Sequence, residues 1–271
     1  MALAFDPGPA DGRFAELVEA APGADTYPFR DFRFEWGPVF HRGRLDGTAR
    51  ILVLGQDPGQ HECVARRVMV GEAGRRVQGF LARLGFTRSY LVLNAYLYCV
   101  ARQAATRVHR DSPAIRDDRD AWLAAVFSTR RPDAVVAFGR AAEHAYLGWL
   151  DRSGTAPVPF EQVPHPTSPR PSATITMEEA TRRMLVRWSD AIERLTPHVA
   201  APDVAPPVDP RYGDAFGPTD LPPIPAFDLP AGAPAWMSGI EAWAERGSPT
   251  EAAPHRARIV VTVPPAGRGW S

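Results

Sequence analysis

Short apolar runs alternate with longer segments whose apolar residues recur at helical spacing. The short runs predict four strands, at Ala49–Leu54, Tyr90–Leu93, Pro132–Gly139 and Phe160–Val163. The longer segments predict helices at Arg75–Leu84, Ser112–Thr129, Arg140–Leu150 and Met177–Arg194, with Ser112 and Pro113 as cap and first turn of the second. Because this alternation favours a parallel sheet covered on both faces, we predict a three-layer α/β/α fold around a central, mostly parallel four-stranded sheet.

The pattern changes near residue 197, where the periodic apolar positions end. Proline accounts for 11 of the 38 residues in Pro197–Pro234, a composition that favours an extended, partly polyproline-II segment. A short helix is predicted at Trp236–Glu245 and a late strand at Arg258–Val263. We therefore divide the chain into a domain, 1–196, and a Pro-rich extension, 197–271. The extension is expected to pack on the domain or on a partner subunit, and the late strand could join two copies as a homodimer.

Composition and charge exclude several kinds of chemistry. The formal net charge is zero, which argues against binding to nucleic acid by bulk electrostatics alone. All 31 basic residues are arginine, so neither a lysine Schiff base nor a phosphate-loop lysine is available. Two cysteines, Cys63 and Cys99, lack the spacing of a zinc or iron–sulfur motif. We expect no metal and no cofactor.

The sequence also predicts the compartment. No stretch approaches the roughly 18 consecutive apolar residues of a membrane span. The start, MALAFDPGPADGRF, lacks the basic and then apolar layout of a secretory signal. We expect a cytoplasmic protein with no membrane partner.

Polar side chains follow three of the four predicted strands. Gln56 and Asp57 come directly after the first strand, Asn94 ends the second, and His165 follows the fourth. In open parallel sheets, ligands bind at the carboxyl ends of the strands. We therefore predict one site at this edge of the sheet.

Four segments resemble motifs of the uracil-DNA glycosylase superfamily. GQDPG at Gly55–Gly59 resembles its first active-site motif, and HPTSPR at His165–Arg170 resembles its second. LVLNAYL at Leu91–Leu97 is similar to the strand that ends in the family's uracil-reading asparagine. VMVGEAG at Val68–Gly74 resembles a segment of the bacterial branch with an iron–sulfur cluster, whose four cluster cysteines this chain lacks. The resemblance covers about Gly37 to Arg194 and implies a divergent bacterial member without a cluster.

The resemblance implies a role for each of the polar residues. Asp57 would stabilise positive charge on the sugar and orient the attacking water, while His165 would donate a hydrogen bond to the departing base. Asn94 would read the edge of a flipped base. The neighbours of Asp57 in the first motif would shape the pocket: Gly55, Gln56, Pro58 and Gly59.

The chain departs from the family pattern at three places. Gly59 stands where uracil-specific members have a tyrosine that excludes thymine, so we expect tolerance of 5-substituted or other deaminated bases. Met69 replaces a phenylalanine that stacks on the base, and it could either cover the base or belong to the core. Pro169 and Arg170 stand where other members insert a leucine into the duplex, which favours single-stranded DNA as the substrate.

DNA contacts are predicted around the two motifs. Thr167, Ser168 and Arg170 from the second motif would bind phosphates, since hydroxyls and guanidinium groups both do so. The first motif is followed by four arginines, among which Arg67 is assigned to DNA: Arg66, Arg67, Arg75 and Arg76.

The leading hypothesis is a monofunctional DNA glycosylase that removes uracil from DNA and initiates base-excision repair. One alternative is a non-catalytic module of the same fold that holds single-stranded or damaged DNA. Another is an unrelated α/β hydrolase or transferase, although the chain has neither G-x-S-x-G nor G-x-x-x-x-G-K. In the simplest structural interpretation, Asp57 forms a turn, Asn94 ends a strand and His165 packs in a rigid loop.

Overall fold

A mostly parallel sheet lies at the centre of the protein. The computed structural model describes residues 5–10, 12–169, 171–239, 242–247 and 258–265. Five strands within these ranges form the sheet: β1 (Arg42–Gly43), β2 (Ile51–Gly55), β3 (Tyr90–Asn94), β4 (Ala134–Phe138) and β5 (Phe160–Val163). Their order is β1-β3-β2-β4-β5, in which β1 pairs antiparallel with β3 and all other pairs are parallel.

Helices cover both faces of this sheet. Those in the described ranges are α1 (Gly12–Glu19), α2 (Gln60–Ala65), α3 (Gly71–Arg83), α4 (Gln103–His109), α5 (Pro113–Thr129), α6 (Arg140–Ser153), α7 (Met177–Leu195) and α8 (Trp236–Gly239). Alternate strand residues point to opposite faces. Ile51 and Val53 pack in one cluster with α3 and α7, whereas Leu52 and Leu54 pack in another with α1, α5 and α6. The predicted α/β class is confirmed.

Several predicted elements differ from those observed. We predict four strands, whereas the described residues form a sheet of five. The prediction missed β1, because this strand is only two residues long and carries no alternating pattern. Ser112 occupies the N-cap of α5, but its side chain makes no capping hydrogen bond. The helix predicted at Trp236–Glu245 is present as α8 at Trp236–Gly239, but it is wrong at Ala244 and Glu245, which lie in a β-strand.

A buried carboxylate attaches the Pro-rich extension to the sheet. Asp228 has no exposed surface and forms an ion pair with Arg42 over 2.9 Å and a second with Arg44. It also accepts a hydrogen bond from the Tyr90 hydroxyl. Because an unpaired buried charge is costly, these contacts hold the extension against the edge formed by β1 and β3.

Two further carboxylates of the extension bind the body at other points. Asp203 accepts hydrogen bonds from three successive backbone N–H groups, those of residues 87, 88 and 89, over 2.8 to 2.9 Å. Asp220 pairs with Arg83 of α3. The extension is therefore fixed on the body at three separate places, although the division of the chain at residue 197 stays a prediction.

The end of the described chain forms a second, two-stranded sheet. Strand β6 (Ala244–Arg246) pairs antiparallel with β7 (Ile259–Val261), and we call these two strands the C-terminal ribbon. The late strand predicted at Arg258–Val263 thus pairs within its own chain, and the homodimer stays a prediction. No helix within the described ranges has the length and apolar character that crossing a membrane requires.

Candidate active site

The carboxyl edge of the sheet opens into a cavity of about 370 Å³, within the range of ligand sites in proteins. The parallel register places Gly55 opposite Asn94 and Phe138 opposite Val163, so the loops after β2, β3 and β5 meet here. Nine of the residues predicted from the sequence line the cavity: Gln56, Asp57, Pro58, Gly59, Met69, Asn94, His165, Thr167 and Ser168.

Asp57 is held in place by two hydrogen bonds. The Val100 backbone N–H donates to Oδ2 over 2.7 Å, and the Gln56 side-chain amide donates to Oδ1 over 2.8 Å. Although the carboxylate borders the cavity, the surrounding protein excludes most bulk water and raises the pKa of Asp57 to about 6, and the two donors limit that rise. Asp57 is therefore mostly ionised at neutral pH and positioned by the loop itself.

A second carboxyl group lies beside Asp57. Glu62 is buried and accepts a hydrogen bond from the Gly59 backbone N–H over 2.9 Å, which caps the start of α2. Burial, and to a smaller degree the charge of Asp57, raise the pKa of Glu62 to about 7. Two carboxyl groups with raised pKa values therefore lie side by side at the cavity.

The hydrogen bonds of His165 define its tautomer. The Thr167 backbone N–H donates to Nδ1 over 3.3 Å, and the Thr167 hydroxyl lies 3.0 Å from the same atom. Burial lowers the pKa of His165 to about 4, so the imidazole is neutral at neutral pH. Because Nδ1 accepts from the backbone, the ring proton resides on Nε2. His165 is consequently a neutral hydrogen-bond donor.

Asn94 is packed closely against the first motif. A Cβ atom on Gly55 would lie 2.3 Å from Asn94 Oδ1 and 2.5 Å from Met69 Cε, so a side chain at the end of β2 would displace the Asn94 amide and the Met69 methyl group. Within the described ranges, no hydrogen bond engages the Asn94 amide. Its donor and acceptor are therefore both available to a ligand in the cavity.

Met69 lies both in the core and at the cavity. Its side chain is only 3 % exposed and belongs to the same apolar cluster as α3, yet it also lines the cavity wall. Its φ of 50° lies in the left-handed region, which is uncommon for a residue with a side chain. The backbone there is tightly packed, since a Cβ atom on Gly74 would lie 1.9 Å from the Met69 carbonyl oxygen. Both alternatives for Met69, base contact and core packing, are compatible with this position.

The predicted DNA contacts are placed unevenly. Thr167 and Ser168 are exposed at the cavity, and Arg170 lies outside the described residues. The assignment of Arg67 to DNA is wrong as a surface contact, because its side chain is buried and its Nε lies 2.8 Å from the Asp6 carboxylate. Asp6 pairs with His41 as well, so this cluster fastens the start of the described chain to the body.

The other arginines near the first motif also hold segments of the chain together. Arg75 donates to the Leu221 carbonyl oxygen over 3.0 Å, and Arg76 donates to the Pro166 carbonyl oxygen over 2.6 Å. Arg66 donates to a backbone carbonyl oxygen over 2.8 Å. The contacts of Arg75 and Arg76 connect α3 to the extension and to the loop that carries His165.

Sequence reasoning missed six polar residues of the cavity lining: Gln60, His61, Glu62, Glu72, Gln103 and Arg246. His61 follows the first motif on α2, a helix of one and a half turns that is too short to show periodicity. Its Nε2 is buried and has no hydrogen-bond partner among the described residues. Arg246 lies far away in the sequence, on the C-terminal ribbon, and no local pattern marks it.

Comparison with known protein families adds an independent finding. The family model described as the uracil DNA glycosylase superfamily matches residues 42–198, which is more than half of the chain. No curated protein matches the chain. The matched range contains Asp57, Asn94 and His165 but ends before Arg246.

Proposed function

Because the chain belongs to the uracil-DNA glycosylase superfamily, we propose that it is a monofunctional DNA glycosylase that hydrolyses the N-glycosidic bond of uracil in DNA. One observation carries the proposal. An ionised carboxylate, Asp57, and a neutral imidazole donor, His165, line a single cavity together with the available amide of Asn94. These groups match the charges that develop when a base leaves deoxyribose.

Asp57 would act on the sugar side of the bond. Departure of the base leaves positive charge on the sugar ring, and a carboxylate beneath it lowers the energy of that state. The desolvated surroundings that raise the pKa of Asp57 also strengthen its attraction for a nearby cation. The same carboxylate would orient the water that attacks the sugar carbon.

His165 would act on the base side. Negative charge accumulates on the departing uracil, and the Nε2–H of a neutral imidazole can donate to the uracil oxygen that carries it. Thr167 holds the imidazole by Nδ1 and so keeps the donor in one orientation. Loss of one such donor costs about 100- to 1,000-fold in rate.

Asn94 and Gly59 would decide which bases are accepted. The Asn94 amide offers a donor and an acceptor side by side, which match the O4 and N3–H edge of uracil. Gly59 places no side chain at the cavity, so a substituent on carbon 5 meets no ring there. We therefore extend the proposed substrates to 5-substituted and other deaminated bases.

The proposed reaction ends with hydrolysis and leaves the DNA strand intact. The sequence has no lysine, so water rather than a lysine amine would be the nucleophile that attacks the sugar carbon. Borohydride treatment of the enzyme during turnover checks this step: we expect no reductively trapped adduct, and a trapped adduct would show that an amine is the nucleophile.

We propose single-stranded DNA as the favoured partner, with base-excision repair in the cytoplasm as the setting. The support is chemical, since Pro169 offers no long apolar side chain to fill the gap that an extruded base leaves in a duplex. Equal rates on matched single- and double-stranded substrates, or faster excision from duplex, would refute this preference.

The direct test uses a single-stranded oligonucleotide with one uracil, with alkali to reveal abasic sites. We expect excision by the wild type and a loss of about 100-fold or more in Asp57→Asn and in His165→Ala. Matched controls are Asp151→Asn and His144→Ala, which change the same residue types outside the cavity and should retain full activity. Binding without excision by the wild type would favour the non-catalytic module instead.

A further inference from the structure

The cavity has one wall that lies outside the residues matched by the family model. Arg246 lines the cavity together with Asp57, Asn94 and His165, yet it belongs to β6 of the C-terminal ribbon. The match ends at residue 198. A chain cut at the end of the matched range would therefore lack part of the cavity.

Packing fixes the ribbon beside the first motif. Trp243, directly before β6, is 1 % exposed and meets the His61 ring edge-on, with 4.9 Å between the ring centroids. Ala244 is buried in the same apolar cluster. Because His61 lies on α2, immediately after the Asp57 loop, the ribbon and the loop are held against one another.

The guanidinium of Arg246 reaches inward from this ribbon. Its centre lies 5.4 Å from the ring centroid of Trp36, and Nη2 lies 3.6 Å from the Cys99 sulfur. The guanidinium is also close enough to Asp57 to favour its ionised form. Within the described part of the chain, Arg246 forms no ion pair with a carboxylate, so its charge is available to a ligand.

The charges of the cavity lining indicate what Arg246 could bind. Three carboxyl groups line the cavity, on Asp57, Glu62 and Glu72. Glu72 is paired with Arg76 from outside the lining, and Arg246 is the only arginine among the described lining residues. A nucleotide bound with its base at Asn94 and its sugar at Asp57 has its phosphates at the cavity mouth. A polyanion that approaches these carboxyl groups requires a compensating cation.

We propose that Arg246 binds a backbone phosphate next to the extruded nucleotide, so that the C-terminal ribbon completes the DNA site. The assignment rests on the proposed function, because it takes DNA as the ligand. Its chemistry is that of a guanidinium, which can donate two parallel hydrogen bonds to phosphate oxygens. It adds a DNA contact that the family domain does not contain.

Binding measurements test the assignment without requiring excision. The probe is a fluorescently labelled single-stranded oligonucleotide that carries one tetrahydrofuran abasic-site analogue, titrated at several salt concentrations. For Arg246→Gln we expect about fivefold weaker binding, the loss of one charge-assisted contact at an exposed site. The slope of log K against log salt should become shallower by about 0.7, as for one phosphate lost from single-stranded DNA.

Two variants make the result specific. Arg258→Gln removes the same charge from the residue directly before β7, which is exposed and lies outside the cavity lining, and should leave the affinity and the slope at wild-type values. Arg246→Lys keeps the positive charge and should keep the slope, with lower affinity because lysine binds phosphate through a single point. Equal losses of affinity in Arg246→Gln and Arg258→Gln would overturn the assignment. They would show that both arginines attract DNA by long-range electrostatics rather than by a specific phosphate contact.

The assignment and the proposed function fail in different ways. If the wild type excises uracil and Arg246→Gln binds the probe as tightly as the wild type, only the assignment of Arg246 is wrong. If the wild type excises nothing while Arg246→Gln shows the shallower slope, Arg246 is a DNA contact and the proposed reaction is wrong.

Discussion

Replacement of Asp57 by asparagine should stabilise the protein while it removes activity. Burial raises the pKa of Asp57 from 3.8 to about 6, so above pH 6 the folded protein holds a carboxylate that is more costly there than in the unfolded chain. This difference corresponds to about 3 kcal/mol at most. The penalty is fully present above the folded pKa and disappears below the unfolded pKa, because the group is then protonated in both states.

The hydrogen bonds of the site reduce the expected gain. Asparagine can still accept from the Val100 N–H, and the Gln56 amide can turn to accept from the new Nδ2. Both contacts weaken because the carboxylate charge is gone. We expect Asp57→Asn to raise the free energy of unfolding by about 1–2 kcal/mol near pH 7.5 and by much less near pH 4.

Urea unfolding of wild type and variant at these two pH values measures the effect. The exposed Asp151, changed to asparagine in the same way, should give differences within about 0.5 kcal/mol at both. A variant that is less stable than the wild type at pH 7.5 would refute the reasoning and show that the carboxylate stabilises the fold. A gain that does not depend on pH would refute it too, because burial of a charge could not then be the cause.

Three further predictions concern specificity, pH and the extension. Gly59→Tyr should restrict excision to uracil, because it places a ring at the cavity, and Gly59→Ala is the control that adds only the Cβ. If competition assays with 5-substituted bases show the same range of excised bases, this explanation is wrong. The single-turnover excision rate should fall about tenfold per pH unit below about pH 6, because Asp57 takes up a proton there. His165, whose pKa is about 4, stays neutral in this range. A rate that stays level down to pH 5 would contradict the role of Asp57. Asp228→Asn should lower the free energy of unfolding by about 3–5 kcal/mol, because it leaves the buried charge of Arg42 without its carboxylate, and a loss below about 1 kcal/mol in urea would mean that the extension is not anchored there.

The sheet could be predicted because its strands carry a strong local signal. β2 and β4 are continuous apolar runs that are buried throughout, and the strand predicted at Phe160–Val163 has the bounds of β5. Parallel pairing then brings the ends of β2, β3 and β5 together, so the meeting of Asp57, Asn94 and His165 followed from topology. Their catalytic roles stay predictions.

The missed features lack a local signal. β1 and α2 are too short for a hydrophobic period to appear. Arg67 could be taken for a DNA contact because its charge is visible in the sequence, whereas its buried partner Asp6 lies far away in the chain. Arg246 was missed for the opposite reason, because nothing in the sequence marks it and only the folded chain brings it to the cavity.

The extension and the site are physically connected in the structure. Asp57 is desolvated by the surrounding protein, and the α2 helix that follows it contacts Trp243, the residue directly before the ribbon. The ribbon is preceded in the chain by the segment that Asp228 fixes to the sheet. Loosening that anchor should therefore change the surroundings of Asp57 as well as global stability, although the two residues belong to different parts of the chain.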